Sequence, residues 1–112
     1  MNFNIIPLNS FIRELKKLVK KYPSLKQDYA NLLDEIVLNP SLGTPIGKNC
    51  YKIRLAITSK GKGKSGGARV ITHLIVTVEN KTLYLLKIYD KGEQDNISDI
   101  ELKQLLESIK IP

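Results

Sequence analysis

Three segments of this chain alternate apolar and polar residues, and they follow two stripes of helical period. That order constrains the fold more than any other feature. From Tyr51 onward, Ile53, Leu55 and Ile57 fall on one side of an extended backbone, and Lys52, Arg54 and Ala56 on the other. Residues 68–78 set Val70, Leu74, Val76 and Val78 against Arg69, Ile71, His73 and Ile75. After a turn at Glu79-Asn80-Lys81, residues 82–89 set Leu86 and Ile88 against Lys87 and Tyr89. A period of two fits strands and not helices, so three hairpin-linked strands are expected.

The residues before them have the other period. Leu8, Phe11, Ile12, Leu15, Leu18, Val19 and Tyr22 recur at three- and four-residue spacing, and Pro23 ends that stripe. Ser24 and Gln27 form an S-x-x-Q capping box that opens a second stripe of Leu25, Tyr29, Leu32, Leu33, Ile36 and Val37. Asn39-Pro40 stops it, and residues 41–49 are expected to be a loop. Residues 3–6 suit a short edge strand before Pro7. Ser98 and Glu101 form another capping box, ahead of a short closing helix carrying Leu102, Leu105, Leu106 and Ile109. The expected fold class is α+β: an N-terminal helical hairpin on a small, mainly antiparallel sheet, with a short C-terminal helix. Helices cover the apolar sheet face. The other face gathers Lys52, Arg54, Arg69, His73, Lys87 and Tyr89, provided the strands are neighbours.

At 112 residues the chain is expected to be one domain, 1–112. No apolar run approaches the ~20 residues that span a bilayer, and MNFNIIPLNSF lacks the features of a signal peptide. Cys50 is the sole cysteine, so no internal disulfide forms. It reads as a packed small apolar residue, and a reducing cytoplasm is the expected location.

The net charge is +7 and unevenly spread. Residues 36–78 contain no acidic side chain but seven basic ones: Lys48, Lys52, Arg54, Lys60, Lys62, Lys64 and Arg69. A patch of this kind attracts polyanions, and nucleic acid is the partner it favours over a merely solvated surface. The lysine-glycine run KGKGKSGGARVI is not a nucleotide-binding P-loop. Gly63-Lys64-Ser65 fits the end of that motif, but Thr58 stands at its first glycine and a β-branched strand follows where a helix is required. The run reads instead as a flexible strand connector.

The segments YKIRLAITSKGKGKSGGARVI and YLLKIYDKGEQDNISDIEL resemble the RelE/HigB family of toxins from bacterial type II toxin–antitoxin modules. The resemblance is closest to a HigB-like branch with a GKGKSGG-x-RVI loop, and it covers nearly the whole chain. It implies a RelE/ParE-like fold and a ribosome-dependent endoribonuclease that cleaves mRNA in the A site. It also implies a cognate helix-turn-helix antitoxin that neutralises the toxin, with operator DNA met only through that antitoxin, and no membrane partner. Carried over by motif, Lys52, Arg54 and Arg69 hold the catalytic face, and Lys91 is a basic group after the last strand. A tyrosine found slightly later in many relatives is Ile97 here, which cannot move a proton.

Metal-free RNA cleavage needs a base for the ribose 2′-OH, positive charge for a dianionic transition state, and a proton for the leaving 5′-oxygen. Arg54 and Arg69 suit the charge role, since guanidinium stays protonated and grips phosphate with two donors. Lys52 adds charge or acts as base, Tyr89 is a candidate proton shuttle, and Lys91 is a second electrostatic group or the leaving-group acid. Lys48, Lys60, Lys62, Lys64, His73 and Lys87 are the expected RNA-binding residues. His73 also reads as a structural strand histidine, Tyr89 as a half-buried strand aromatic and Lys87 as a solvated strand lysine. No metal or other cofactor is expected, because one histidine and an acid-free centre offer no cage. Two alternatives remain at this level: a gyrase poison of the ParE branch, and a non-catalytic RNA-binding module. The second would need stacking aromatics, and only Tyr89 lies on the basic face.

Overall fold

The computed structural model describes residues 2–109. Strand β1 (Asn2–Pro7) leads into helix α1 (Asn9–Lys21) and helix α2 (Leu25–Leu38). Strands β2 (Thr44–Gly47), β3 (Cys50–Leu55), β4 (Ala68–Val76) and β5 (Asn80–Asp90) follow, and helix α3 (Asp99–Glu107) closes the chain. The strands form a single sheet in the order β1-β5-β4-β3-β2. Every neighbouring pair is antiparallel except β1 with β5, which is parallel. No helix among the described residues is long and apolar enough to cross a membrane.

The helical stripes behave as their period dictates. Phe11 and Leu18 of α1, and Leu25, Leu32 and Ile36 of α2, are buried against Ile53, Leu55, Val70, Leu83, Leu85 and Ile88 of the sheet. Phe11 is fully enclosed, so its truncation to alanine costs about 3–5 kcal/mol. Lys20 and Lys21 end α1, where cations complement the carbonyl end of the helix dipole.

Four expectations need correction. Residues 41–49 are not wholly loop, because Thr44–Gly47 adds a fifth strand at the β3 edge. Gly43 makes this possible: its φ is +105°, and a Cβ there would lie 2.6 Å from the Lys52 carbonyl oxygen. The Ser24 capping box does not form, because Ser24 has helical backbone angles and its hydroxyl donates to Asp28 (3.0 Å). At the α3 end, by contrast, Ser98 accepts from the Glu101 backbone N–H (3.1 Å). Val76 and Val78 are not core residues; they stand 57% and 95% exposed at the tip of the β4–β5 hairpin.

The fourth correction moves the site. The β4–β5 register shifts between Ile71 and Thr72, so Leu86 is an extra residue on β5. The bulge puts Leu86 on the same side as Tyr89, in a second cluster with Cys50, Ile71 and Leu102. Helix α3 covers that cluster with Leu105 and Leu106. The face expected to be open and basic is therefore half roofed by a helix.

Candidate active site

The register does bring the nominated residues together. Arg54 is paired with Arg69, and Arg69 with Tyr89, so these three form one row across β3, β4 and β5. Lys52, Ile71 and Lys87 form the next row. Alternation therefore places Lys52, Arg54, Arg69, Lys87 and Tyr89 as the sequence predicts, but it does not leave them equally accessible.

Arg54 is exposed. Arg69 is only 6% exposed, and its guanidinium is spent on backbone carbonyls: those of Lys64 (3.0 Å), Ala68 (3.1 Å) and Ser65 (3.2 Å). It ties the lysine-glycine connector back onto the strand that the connector leads into. Tyr89 is 5% exposed, and its hydroxyl is buried without a hydrogen-bond partner among the described residues. Burial pushes its pKa up, which the charge of Arg69 only partly opposes, so the phenol stays neutral at physiological pH. Both residues were expected on an open surface. The closing helix and the connector cover them instead, because α3 buries its apolar stripe on this side of the sheet.

The segment between β5 and α3 supplies a counter-charge, Asp95, and a neutral acceptor, Asn96, that the sequence alone did not reveal. Lys91 donates to the carboxylate and to the carbonyl oxygen of Asp95. Lys52 donates to the side-chain oxygen of Asn96 at 3.1 Å. The hydrogen bond from Lys91 holds the Asp95 carboxyl below its ordinary pKa, and the charges of Lys52 and Arg69 add to this.

Two of the expected RNA-binding lysines are internal ion-pair partners. Lys60 meets Asp90 at 2.6 Å, with side-chain exposures of 13% and 2%. Asp90 is a hub that also accepts from the Tyr22 hydroxyl (2.8 Å) and the Gly92 backbone N–H (2.9 Å). Burial alone would raise the Asp90 carboxyl; these donors outweigh it and leave the pKa lowered. Lys87 is not a solvated strand lysine. It sits between Glu14 (2.8 Å) and Glu101 (2.9 Å), and these partners raise its pKa against the effect of burial. Glu14 also lies over the β5 edge beyond the end of β1. His73 stands apart from the arginine row, stacked on Tyr84 (ring centroids 6.3 Å apart) and 3.5 Å from the Cys50 sulfur. Burial pushes the Cys50 thiol up to about 11, so it stays protonated, as expected of a packed residue.

Lys48, Lys62 and Lys64 are exposed. Lys48 and Asn49 both have positive φ, as the two-residue β2–β3 hairpin requires. Gly67 anchors the other end of the lysine-glycine connector, where a Cβ would lie 2.1 Å from the Leu55 carbonyl oxygen. Asp28 of α2 fixes its start by accepting from the Thr58 backbone N–H (2.9 Å) and hydroxyl (2.6 Å). The connector is thus held at Thr58, Lys60, Gly67 and Arg69, and it leaves Lys62 and Lys64 in solvent.

The accessible cations converge where β2 ends and leaves the β3 edge uncovered. A cleft of about 220 Å³ there is lined by Lys52, Arg54, Lys64, Thr44 and Glu35. A second, of about 160 Å³, shares Arg54, Lys64 and Glu35 with it and reaches Asn31 and Asp28. Glu35 is a residue the sequence reading passed over, although it is the last acidic residue before the acid-free span. Among the described residues, Arg54, Lys64 and Glu35 make no side-chain hydrogen bond or ion pair with one another.

A scan against protein-family models finds no match. Among solved structures, the chain is similar to that of the E. coli toxin RelE, a double arginine-to-alanine mutant in the free state. The alignment covers 98% of this chain and 100% of that one, with a TM-score of 0.61 and 16% sequence identity. The likeness is one of architecture: the chain has a RelE-like α+β fold.

Proposed function

We propose that this protein is the toxin of a type II toxin–antitoxin pair, a ribosome-dependent endoribonuclease that cleaves mRNA in the A site by metal-free 2′-OH attack. The observation that carries the reading is the cleft at the β3 edge. It brings Lys52, Arg54 and Lys64 together on a RelE-like fold. Three cations around one opening suit a phosphate whose charge grows in the transition state. Arg54 is the bidentate phosphate ligand, and Lys52 and Lys64 supply further charge. Lys48 and Lys62 extend the electrostatic surface toward the RNA backbone. Arg69 contributes by fixing the connector that presents Lys64. A cognate antitoxin neutralises the protein, and the site of action is the cytoplasmic ribosome.

A second reading, a gyrase poison of the ParE branch, draws on one observation: two of the five nominated catalytic groups, Arg69 and Tyr89, are withdrawn from solvent. A single experiment separates the two. The protein is expressed from a tight promoter, and 5′ ends of cellular mRNA are mapped within minutes, beside an Arg54→Ala variant. The nuclease reading expects new 5′ ends in translated regions that the variant does not produce. Growth arrest with intact transcripts and gyrase–DNA breaks would overturn it.

A further inference from the structure

The groups nominated for proton transfer do not supply a free base: Lys52 donates to the side-chain oxygen of Asn96 and serves as a charge. Tyr89 is buried and its pKa is raised. Lys91 is engaged with Asp95, and His73 lies on another part of the sheet against Tyr84. Carboxylates near the phosphate-binding cations are the remaining group type that accepts a proton at neutral pH. Asp28 is already occupied by Thr58 and Ser24, and Glu14 and Glu101 by Lys87. Glu35 is not so occupied, and it lines both clefts that contain Arg54 and Lys64.

We infer that Glu35 is the general base of this site, set on the last turn of α2 facing Arg54 and Lys64 across a cleft that takes one ribose-phosphate unit of single-stranded RNA. The inference deepens the nuclease reading and rests on it. The Glu35 carboxylate takes the proton of the ribose 2′-OH as that oxygen bonds to the adjacent phosphorus. Arg54 holds the two non-bridging oxygens. The P–O5′ bond breaks, and the ammonium of Lys64 gives the departing O5′ a proton. The products are a 2′,3′-cyclic phosphate and a 5′-hydroxyl end. Glu35 then releases its proton to water and Lys64 regains one, so the protein returns to its starting state. Position supports the assignment as well as chemistry. Glu35 shares one cleft with Lys52, Arg54 and Lys64, and the other with Arg54, Lys64 and Asp28, whose carboxylate is held by Thr58 and Ser24.

The test compares the full-length protein with Glu35→Gln, Glu35→Asp and Asp34→Asn on programmed ribosomes. Asp34 is the adjacent exposed acid and lines neither cleft. Single-turnover cleavage is followed from pH 5 to 9, and binding is measured with a 2′-O-methyl RNA that cannot react. Glu35→Gln should lower the cleavage rate about 100- to 10,000-fold. It should bind the methylated RNA at least as tightly as the parent, and its pH–rate profile should differ from the parent's. Glu35→Asp should recover part of the rate, and Asp34→Asn should match the parent. If the parent cleaves and Glu35→Gln cleaves within threefold of it, Glu35 is not the base. If the parent cleaves nothing on the ribosome, the nuclease reading falls and takes this role with it. The two failures are read from different lanes.

Discussion

Lys60 offers the sharpest test of whether the structure or the charge pattern describes this surface. By charge alone it is one of three equivalent lysines in an exposed connector. In the structure it is the partner of Asp90, a carboxylate only 2% exposed, and it also donates to the Gly66 carbonyl at 2.8 Å. Its ammonium lies 5.5 Å from the centre of the Tyr22 ring. Removing one member of a buried pair typically costs 3–5 kcal/mol, because the other charge is left without compensation. Asp90 retains the Tyr22 hydroxyl and the Gly92 N–H, which puts Lys60→Ala near the lower end, about 3 kcal/mol. For a domain of this size that lowers Tm by about 12 °C.

The pH dependence follows from the lowered Asp90 pKa. A depressed carboxylate contributes stability above its unfolded value of about 3.9 and loses it as pH falls through the folded value. The parent should therefore lose stability in acid below about pH 4 more steeply than Lys60→Ala, which has already lost the pair. Urea titrations at pH 7 and pH 3, with thermal melts by circular dichroism, give both numbers. The double variant Lys60→Ala/Asp90→Asn should recover part of the loss, since no unpaired buried charge remains. If Lys60→Ala melts within about 2 °C of the parent yet binds RNA with a reduced salt slope, the lysine is a phosphate ligand and the reasoning fails.

Other changes separate binding, gating and packing. Lys62→Ala should weaken binding of single-stranded RNA and lower the slope of log K against log salt by about 0.7, measured by fluorescence anisotropy. An unchanged slope would remove this lysine from the interface. Asp95→Ala with Asn96→Ala releases the ammoniums of Lys91 and Lys52. Binding should tighten, with a slope steeper by up to about 1.4, and weaker binding would mean that these acceptors organise the site and do not compete for it. Tyr89→Phe deletes a buried hydroxyl that has no partner, so stability should hold or rise by about 1 kcal/mol in denaturant titrations. If cleavage instead drops a hundredfold while stability rises, the phenol takes part in proton transfer.

The class of the fold could be read from period alone. The stripes on α1 and α2 and the alternation through β3, β4 and β5 are local properties, and burial follows them wherever a helix covers the sheet. What escaped the reading depends on tertiary context. Thr44–Gly47 is only four residues long, contains a proline and lies at an edge, so no alternation marks it. The bulge at Leu86 adds one residue to β5, and only the partner strand reveals it. Helix α3 announces an apolar stripe but not which face of the sheet receives it, and that choice decides the exposure of Arg69 and Tyr89. At the site, Lys52, Arg54 and Lys64 were legible because alternation and glycine spacing keep them outward. Glu35 was not, because its neighbours in space come from strands and a connector that follow it in sequence. Lys60 and Lys87 looked identical to the exposed lysines because their carboxylate partners are 14 to 73 residues away.

The parallel pairing of β1 with β5 has a consequence for the order in which this molecule assembles. Asn2 is matched with Asn80 and Pro7 with Leu85, so the residues of β1 find their partners 78 residues later in the chain. Until β5 exists, β1 has no strand to join and the apolar side of α1 lacks Leu83, Leu85 and Ile88. Closing so long a loop costs conformational entropy before any contact rewards it, which makes the step slow relative to local hairpins. A nascent chain that has reached residue 79 can form α1, α2 and the β3–β4 pair but cannot seal the sheet. The apolar layer between α1 and the sheet is thus sealed only once β5 has been made, after the β3–β4 pair that carries Lys52 and Arg54 can already exist.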